Sequence, residues 1–403
     1  MVPYDLEGKR IVLGVCGGIA AYKSAELLRL LVKQGAEPRV VMTANAVHFV
    51  GPMTFEALSG KKVLLDLFSG NDEATIGHIQ WAQEADAVII APATANFLAK
   101  LAHGIADDAL STFMLAVTCP VIICPSMNTN MLNSRPVQRN LETIKKDGHL
   151  VVDPCAGELA CGTSGPGRLP EPHYIVDYLA GIMAPKDFRG KNILVTAGPT
   201  REAIDPVRYI SNPSTGKMGF AIARAAERRG ANVMLVTGPT ALEAPPNVRV
   251  TRVETAAQMA EAVLDFMEHA DIIIKTAAVS DYRPCSVSER KLKKNERNLE
   301  LSLERTDDIL REVGRRKSGQ ILVGFAAETH DLESYALKKL EEKNLDIIVA
   351  NRIGPPDSGF ASDTNKAVLF FRNGTKEPLE LMSKEKMAHL LLDRIIALQE
   401  DRQ

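Results

Sequence analysis

Short β-branched runs alternate with longer helical patterns along most of the chain, and the alternation runs twice. The first half reads "RIVLGVC" strand, "IAAYKSAELLRLLVKQ" helix, "EPRVVMT" strand, "DAVIIAP" strand, "ADDALSTFMLAVT" helix, "PVIICP" strand and "RPVQRNLETIKKDG" helix. A polar, Gly-containing link, "KDFRGKN", follows near residues 185–191, and the pattern restarts with "ILVTAG", "KMGFAIARAAERRG", "ANVMLVTG", "AAQMAEAVLDFMEHA" and "DIIIKTAA". "ILVGFAA", "LESYALKKLEEKN", "LDIIVA" and a final helix near 383–399 complete it. This order argues for parallel sheets covered by helices on both faces. The 403 residues suffice for two or three domains at roughly 150 residues each. The reading is α/β with two Rossmann-like domains, 1–188 and 189–403, without a sequence repeat between them.

In such sheets ligands bind beyond the carboxyl ends of the strands, so the residues after each strand carry the information. "VCGGIAAYK" follows the first strand. Gly17 and Gly18 allow close backbone approach, and a helix beginning near Ile19 offers N–H groups to an anion. The spacing is not Gly-x-Gly-x-x-Gly, which disfavours a nicotinamide site. In "APATANFLAK", Thr94 and Asn96 either cap the helix that follows or hold a phosphate. Asn128 in "PSMNTNM" either caps a turn or offers its amide to a carboxylate. His78 in "TIGHIQWAQEA" precedes an amphipathic segment, where a lone His is more often structural than catalytic.

"GELACGTSGPGRLP" (157–170) shows no helix or strand pattern, and its four glycines surround Cys161. That thiol is either idle or carried on a lid that must close and open. Of the other cysteines, Cys16, Cys119 and Cys124 sit in or beside apolar runs and read as small core residues. No Cys-x-x-Cys pair and no zinc-finger spacing occurs. Net charge is −2, so no global field draws the chain to nucleic acid or membrane. Apolar runs are too short to span a bilayer, and the first residues lack an export pattern. A reduced, cytoplasmic protein is expected.

The motifs "GGIAAYK", "GHI", "APATAN", "PSMN" and "LACGTSGPGR" in the first half, with "VTAGPTREAIDPVRYISNPSTGKMG", "AAVSDYRP", "KLKK" and "GFAAET" in the second, resemble one family. It is the bacterial bifunctional phosphopantothenoylcysteine decarboxylase / phosphopantothenate–cysteine ligase of coenzyme A synthesis, and the likeness covers essentially the whole chain. For the first half it implies a flavodoxin-like domain holding FMN through Gly17, Gly18, Thr43, Thr94, Ala95, Asn96, Phe97 and Ser126. It implies His78 as the active-site histidine, Asn128 as the ligand of the substrate carboxylate, and Cys161 as the proton donor on a mobile flap. "PSMN" stands where the family usually has Pro-Ala-Met-Asn, so Ser126 adds a hydroxyl. The flavin would oxidise the cysteinyl side of the substrate, which makes loss of carbon dioxide feasible, and the protein would orient and protonate.

For the second half the family implies a nucleotide-binding ligase. It would use CTP with Mg2+ to activate the carboxylate of 4′-phosphopantothenate as an acyl-cytidylate. The amine of L-cysteine would then form the amide of 4′-phosphopantothenoylcysteine. Lys291 in "KLKKNER" matches the catalytic lysine and Asn212 the asparagine that handles the acyl-cytidylate. Nucleotide contacts fall on Lys275, Thr276, Ala277, Asp281, Lys291, Asp307, Asp308, Ile309, Leu310, Phe325, Lys339 and Lys343. "RTDDIL" departs from relatives that have Pro before the Asp, placing a second acid, Asp307, beside the expected triphosphate. The metal ligands stay unassigned. The family also implies homo-oligomers, with trimeric flavin domains and dimeric ligase domains.

Overall fold

The computed structural model describes residues 6–66, 74–159, 162, 164–292, 300–328, 331–352 and 362–400. The chain forms two compact units, 1–183 and 184–403. The division falls a few residues ahead of the expected 188/189 boundary, because Phe188 is buried in the core of the second unit. No helix among the described residues is long and apolar enough to cross a membrane.

The first unit contains β1 (Arg10–Val15), α1 (Ala21–Lys33), β2 (Glu37–Met42), α2 (Pro52–Ser59), α3 (Ala74–Glu84), β3 (Ala87–Ala93), α4 (Ala95–His103) and α5 (Ala109–Leu115). It continues through β4 (Val121–Pro125), α6 (Thr129–Leu132), α7 (Arg135–Lys146), β5 (Leu150–Val151), β6 (Cys155–Glu158), β7 (Ser164–Arg168) and α8 (Pro172–Met183). Its parallel sheet has the order β2-β1-β3-β4-β5. Every residue of β3 is buried, which explains its unbroken apolar sequence: helices cover both faces. Ile89 packs on the side of Leu28 and Leu179, and the next residue, Ile90, on the side of Phe97 and Phe113.

Two sequence expectations change here. The segment around Cys161 read as patternless, yet β6 and β7 pair antiparallel through it. Its glycines hid the strands, since period-2 alternation cannot be read from residues without side chains. His78 was expected ahead of a helical segment, but its backbone lies inside α3.

The second unit contains β8 (Asn192–Ala197), β9 (Arg201–Ala203), β10 (Tyr209–Ser211), α9 (Lys217–Arg228), β11 (Asn232–Thr237), β12 (Arg249–Arg252), α10 (Ala256–Met267), β13 (Ile272–Lys275), β14 (Tyr282–Pro284) and β15 (Leu303–Arg305). Next come α11 (Ile309–Arg316), β16 (Ile321–Glu328), α12 (Leu332–Glu342), β17 (Ile347–Arg352), β18 (Thr364–Asn365), β19 (Ala367–Phe371), β20 (Lys376–Pro378), β21 (Met382–Ser383) and α13 (Lys384–Glu400). The sheet order is β12-β11-β8-β13-β16-β17-β19-β20. The first six strands are parallel, the doubly wound arrangement. The sheet is not purely parallel, as the sequence pattern suggested, because β19 and β20 add antiparallel at one edge. The side chains of α9 and α13 cover one face, and those of α10, α11 and α12 the other.

A polar knot holds α13 to the start of this unit. Arg229, 1% exposed, donates to Asp187 (2.9 Å), to Asp393 (2.8 Å) and to the carbonyl of His389 (3.1 Å), and stacks on Phe188. Burial, then the guanidiniums of Arg228 and Arg229, push the buried His389 imidazole down to about 3, against the pull of Asp187. The sign follows directly. The folded state holds this ring neutral, while the unfolded chain protonates it below about pH 6.5, so stability present above that pH is lost as pH falls. Unfolding of the second unit should cost about 2 kcal/mol less at pH 5 than at pH 7 from this group alone. Urea titrations of wild type and His389→Gln at both pH values check this: the variant should show a pH dependence smaller by that amount.

Candidate functional sites

In the first unit the carboxyl ends of β1, β3 and β4 open onto a cavity of about 910 Å³. Gly17, Gly18, Thr43, Thr94, Ala95, Asn96, Phe97 and Ser126 all line it, and so does Asn128. Thr94 caps α4, its Oγ1 accepting the Phe97 N–H at 3.4 Å. Asn128 caps α6 in the same way, Oδ1 accepting the Asn130 N–H at 2.8 Å. The cap uses the amide oxygen of Asn128, whose two donors are on Nδ2. The α1 helix starts at Ala21, slightly later than expected, with the glycines ahead of it on the cavity wall.

The β6–β7 hairpin is fastened to the Asn128 turn. Met127 N–H donates to the Gly167 carbonyl (3.0 Å), Ser126 Oγ to the same oxygen (3.3 Å), and Thr129 Oγ1 to the Pro166 carbonyl (2.8 Å). A Cβ on Gly167 would lie 2.1 Å from the Met127 oxygen, at a φ of +144°. Beyond β7, Glu171 accepts from the buried Lys23 of α1 at 2.7 Å. That hydrogen bond leads the causes that lower the Glu171 pKa. Cys161 and the neighbouring residues 160 and 163 lie outside the described residues, as does the side chain of His78. Cys16 and Cys124 are core residues as expected, their thiols raised by burial, that of Cys16 to about 12; Cys119 is only half-buried.

In the second unit a cavity of about 650 Å³ lies at the carboxyl ends of β13 and β16 and the start of α9. Lys275, Thr276, Ala277, Asp281, Asp307, Asp308, Ile309, Leu310, Phe325, Lys339 and Lys343 line it. Asp308 caps α11 through the Arg311 N–H and pairs with Lys343 at 2.9 Å. Burial, then the nearby Lys343 ammonium, lower the Lys275 pKa to about 8, against the pull of Asp308 and Asp281. Asn212 donates from Nδ2 to the carbonyls of Ala278 and Val279, both at 3.1 Å, and so stands behind the wall. Lys291 is exposed and not on the cavity wall. Its neighbour Leu292 is held instead: its N–H donates to Asp205 at 3.2 Å and its carbonyl accepts from Arg208. Ser214, Gly216, Lys217, Asn365 and Lys384 also line the cavity, and none was expected from the sequence. The glycine spacing of "NPSTGKMG" could have flagged the first three; nothing local marks Lys384.

Residues 188–398 match the family model described as DNA/pantothenate metabolism flavoprotein C-terminal domain, and residues 1–184 the model described as Flavoprotein. The chain is 48% identical over 397 residues to the coenzyme A biosynthesis bifunctional protein CoaBC of Bacillus subtilis (strain 168), covering 98% of each. The chain belongs to this family. It is 47% identical over 397 residues to the CoaBC protein of Escherichia coli (strain K12), covering 97% of this chain and 98% of that one. Among solved structures, the C-terminal domain of a CoaBC protein aligns at 46% identity over 54% of this chain and 99% of that chain, with a TM-score of 0.47.

Two of the glycines on the first cavity, Gly18 and Gly167, separate fold from ligand. A Cβ at Gly18 would make only an ordinary 3.7 Å contact with Thr94, so the polypeptide itself does not require glycine there. Gly18→Ala should therefore leave the melting temperature of the flavin-stripped protein unchanged while weakening flavin retention. Gly167→Ala should lower that melting temperature, at a cost of about 2–4 kcal/mol from strain and overlap. Calorimetry and flavin release measured on both variants would reject the cradle if Gly18→Ala held flavin as wild type does.

Proposed function

We propose that the second unit joins L-cysteine to 4′-phosphopantothenate at the expense of CTP, and that the first unit decarboxylates the resulting 4′-phosphopantothenoylcysteine to 4′-phosphopantetheine with FMN. The observation that supports this reading is that the expected flavin contacts and Asn128 line one cavity, and the expected nucleotide contacts other than Lys291 line another. The first cavity fits FMN: open space at Gly18 for close approach, the start of α4, hydroxyls from Thr43, Thr94 and Ser126, and an apolar side at Phe97 and Met127. Bound FMN supplies the two-electron chemistry. The chain's own residues do the rest. Asn128 holds the substrate carboxylate by its amide donors. The latched hairpin covers the site and excludes water. Cys161 supplies the proton that the product carbon needs; an unperturbed cysteine thiol, with a pKa of about 8.5, is protonated at neutral pH.

In the second unit Lys291 and Asn212 serve acyl-cytidylate formation. No group of three potential metal ligands occurs among the described residues. Mg2+ carried in by the triphosphate needs only one or two carboxylates from the protein; Asp307, exposed beside the Asp308–Lys343 pair, is the candidate.

Assaying the half-reactions separately tests the assignment. Lys291→Ala should abolish amide formation and leave decarboxylation of supplied 4′-phosphopantothenoylcysteine intact. His78→Ala should do the reverse, and Cys161→Ser should keep amide formation and release carbon dioxide while forming little saturated product. A folded variant that lost both activities would overturn the two-site reading.

Lys275 gives the ligase site a pH signature. A bound triphosphate favours its charged form, so binding above about pH 8 must take up a proton. CTP affinity should fall as pH rises through 8, and calorimetry in buffers of different ionisation enthalpy at pH 8.5 should detect the uptake. Lys275→Met should remove it.

A further inference from the structure

The second cavity has an end that the expected nucleotide residues do not account for. Helices α9 and α13 both begin there. Lys217 is the first residue of α9 and Lys384 the first of α13, and both line the cavity. Lys384 is 7% exposed, an unusual burial for a lysine. Its backbone N–H donates to the Asp363 carbonyl at 3.0 Å, and the Asp363 carboxylate accepts from Lys217 at 2.6 Å. One short segment thus ties the two lysines together, and burial and the Lys217 charge both lower the Lys384 pKa.

Two further features mark this end as a place for an anion. The first residue before α9, Gly216, has a φ of +79° and no side-chain cap, so the first turn of a twelve-residue helix faces the cavity without one. Asn365, 5% exposed, also lines the cavity, and its buried Oδ1 has no hydrogen-bond partner. Rotated about its last bond, the same amide presents its donors where that oxygen stands. Two ammonium groups, a bare helix start and an underused amide make a site for a compact polyanion.

We propose that Lys217 and Lys384, assisted by Asn365, bind the β- and γ-phosphates of the nucleotide and hold the pyrophosphate that leaves when the acyl-cytidylate forms. This rests on the ligase reading above. In the step, a carboxylate oxygen bonds to the α-phosphorus while the bond from that phosphorus to the bridging oxygen breaks. The electron pair stays on the departing pyrophosphate, and no proton is needed. Charge on the leaving group rises as the bond breaks, so fixed cations there lower the barrier.

Calorimetry of the full chain with CTP, CMP and inorganic pyrophosphate separates this from a structural role. Lys384→Met preserves the length and apolar stem of the side chain. It should weaken CTP at least tenfold, abolish measurable pyrophosphate binding, and leave CMP affinity within twofold of wild type. Lys384→Arg should recover most of the loss. Lys217→Met should behave like Lys384→Met, which keeps the proposal testable should one variant fail to fold. Equal loss of CMP and CTP affinity, or unchanged CTP affinity in both folded Met variants, would overturn it. Wild-type protein that bound neither CTP nor CMP would instead overturn the ligase reading beneath it.

Discussion

Met127 and Gly167 meet backbone to backbone, with a 3.0 Å hydrogen bond and no room for a side chain between them. This contact determines how the first cavity is closed. It fixes the hairpin to the turn that presents Asn128. The second unit depends on a similar approach. A Cβ on Gly219 would fall 2.5 Å from both Ala197 Cβ and Thr276 Oγ1, so α9 can lie against β8 and β13 only with glycine there. That close packing brings the start of α9 to the carboxyl ends of the strands, where a phosphate can reach it.

Charge organises what the glycines admit. Asp205, buried in the "IDPVR" turn, accepts from the N–H groups of Val207, Arg208 and Leu292 and from the Arg208 guanidinium. The Arg208 hydrogen bond leads the causes that hold its carboxyl far below the usual range. A single carboxylate thereby joins the "TREAIDPVRYISN" run to the "KLKK" run more than eighty residues later. The two motifs are separate in sequence because each supplies one half of a structural joint. Lys291 projects from that joint rather than from the cavity wall.

The doubly wound cores were legible because their strands are buried on both faces and so are written as plain apolar runs, as in "DAVIIAP". Residues just beyond those runs were legible for the same reason: the topology sends them to the ligand side. What escaped notice lacks such a signal. The β6–β7 hairpin is built from glycines and prolines, whose lack of side-chain contrast erases the alternation. The β19–β20 pair is short, and its register depends on β17, far away in sequence. Lys384 falls at the start of the final helix, where nothing local marks it; only the packing of α13 beside α9 buries it in the cavity wall.

The way both sheets stop also limits how copies of this chain can meet. The antiparallel pair places Lys376–Pro378 at one edge of the larger sheet, three residues ending in a proline that has no N–H to donate. The opposite edge is the four-residue strand Arg249–Arg252, with an arginine at each end. In the smaller sheet, Leu64 already occupies part of the free side of β2, exchanging hydrogen bonds with Val40 and Met42, and β5 is only two residues long. Among the described residues, none of the four borders offers the long, flat, unpaired ladder that lets one sheet grow onto another.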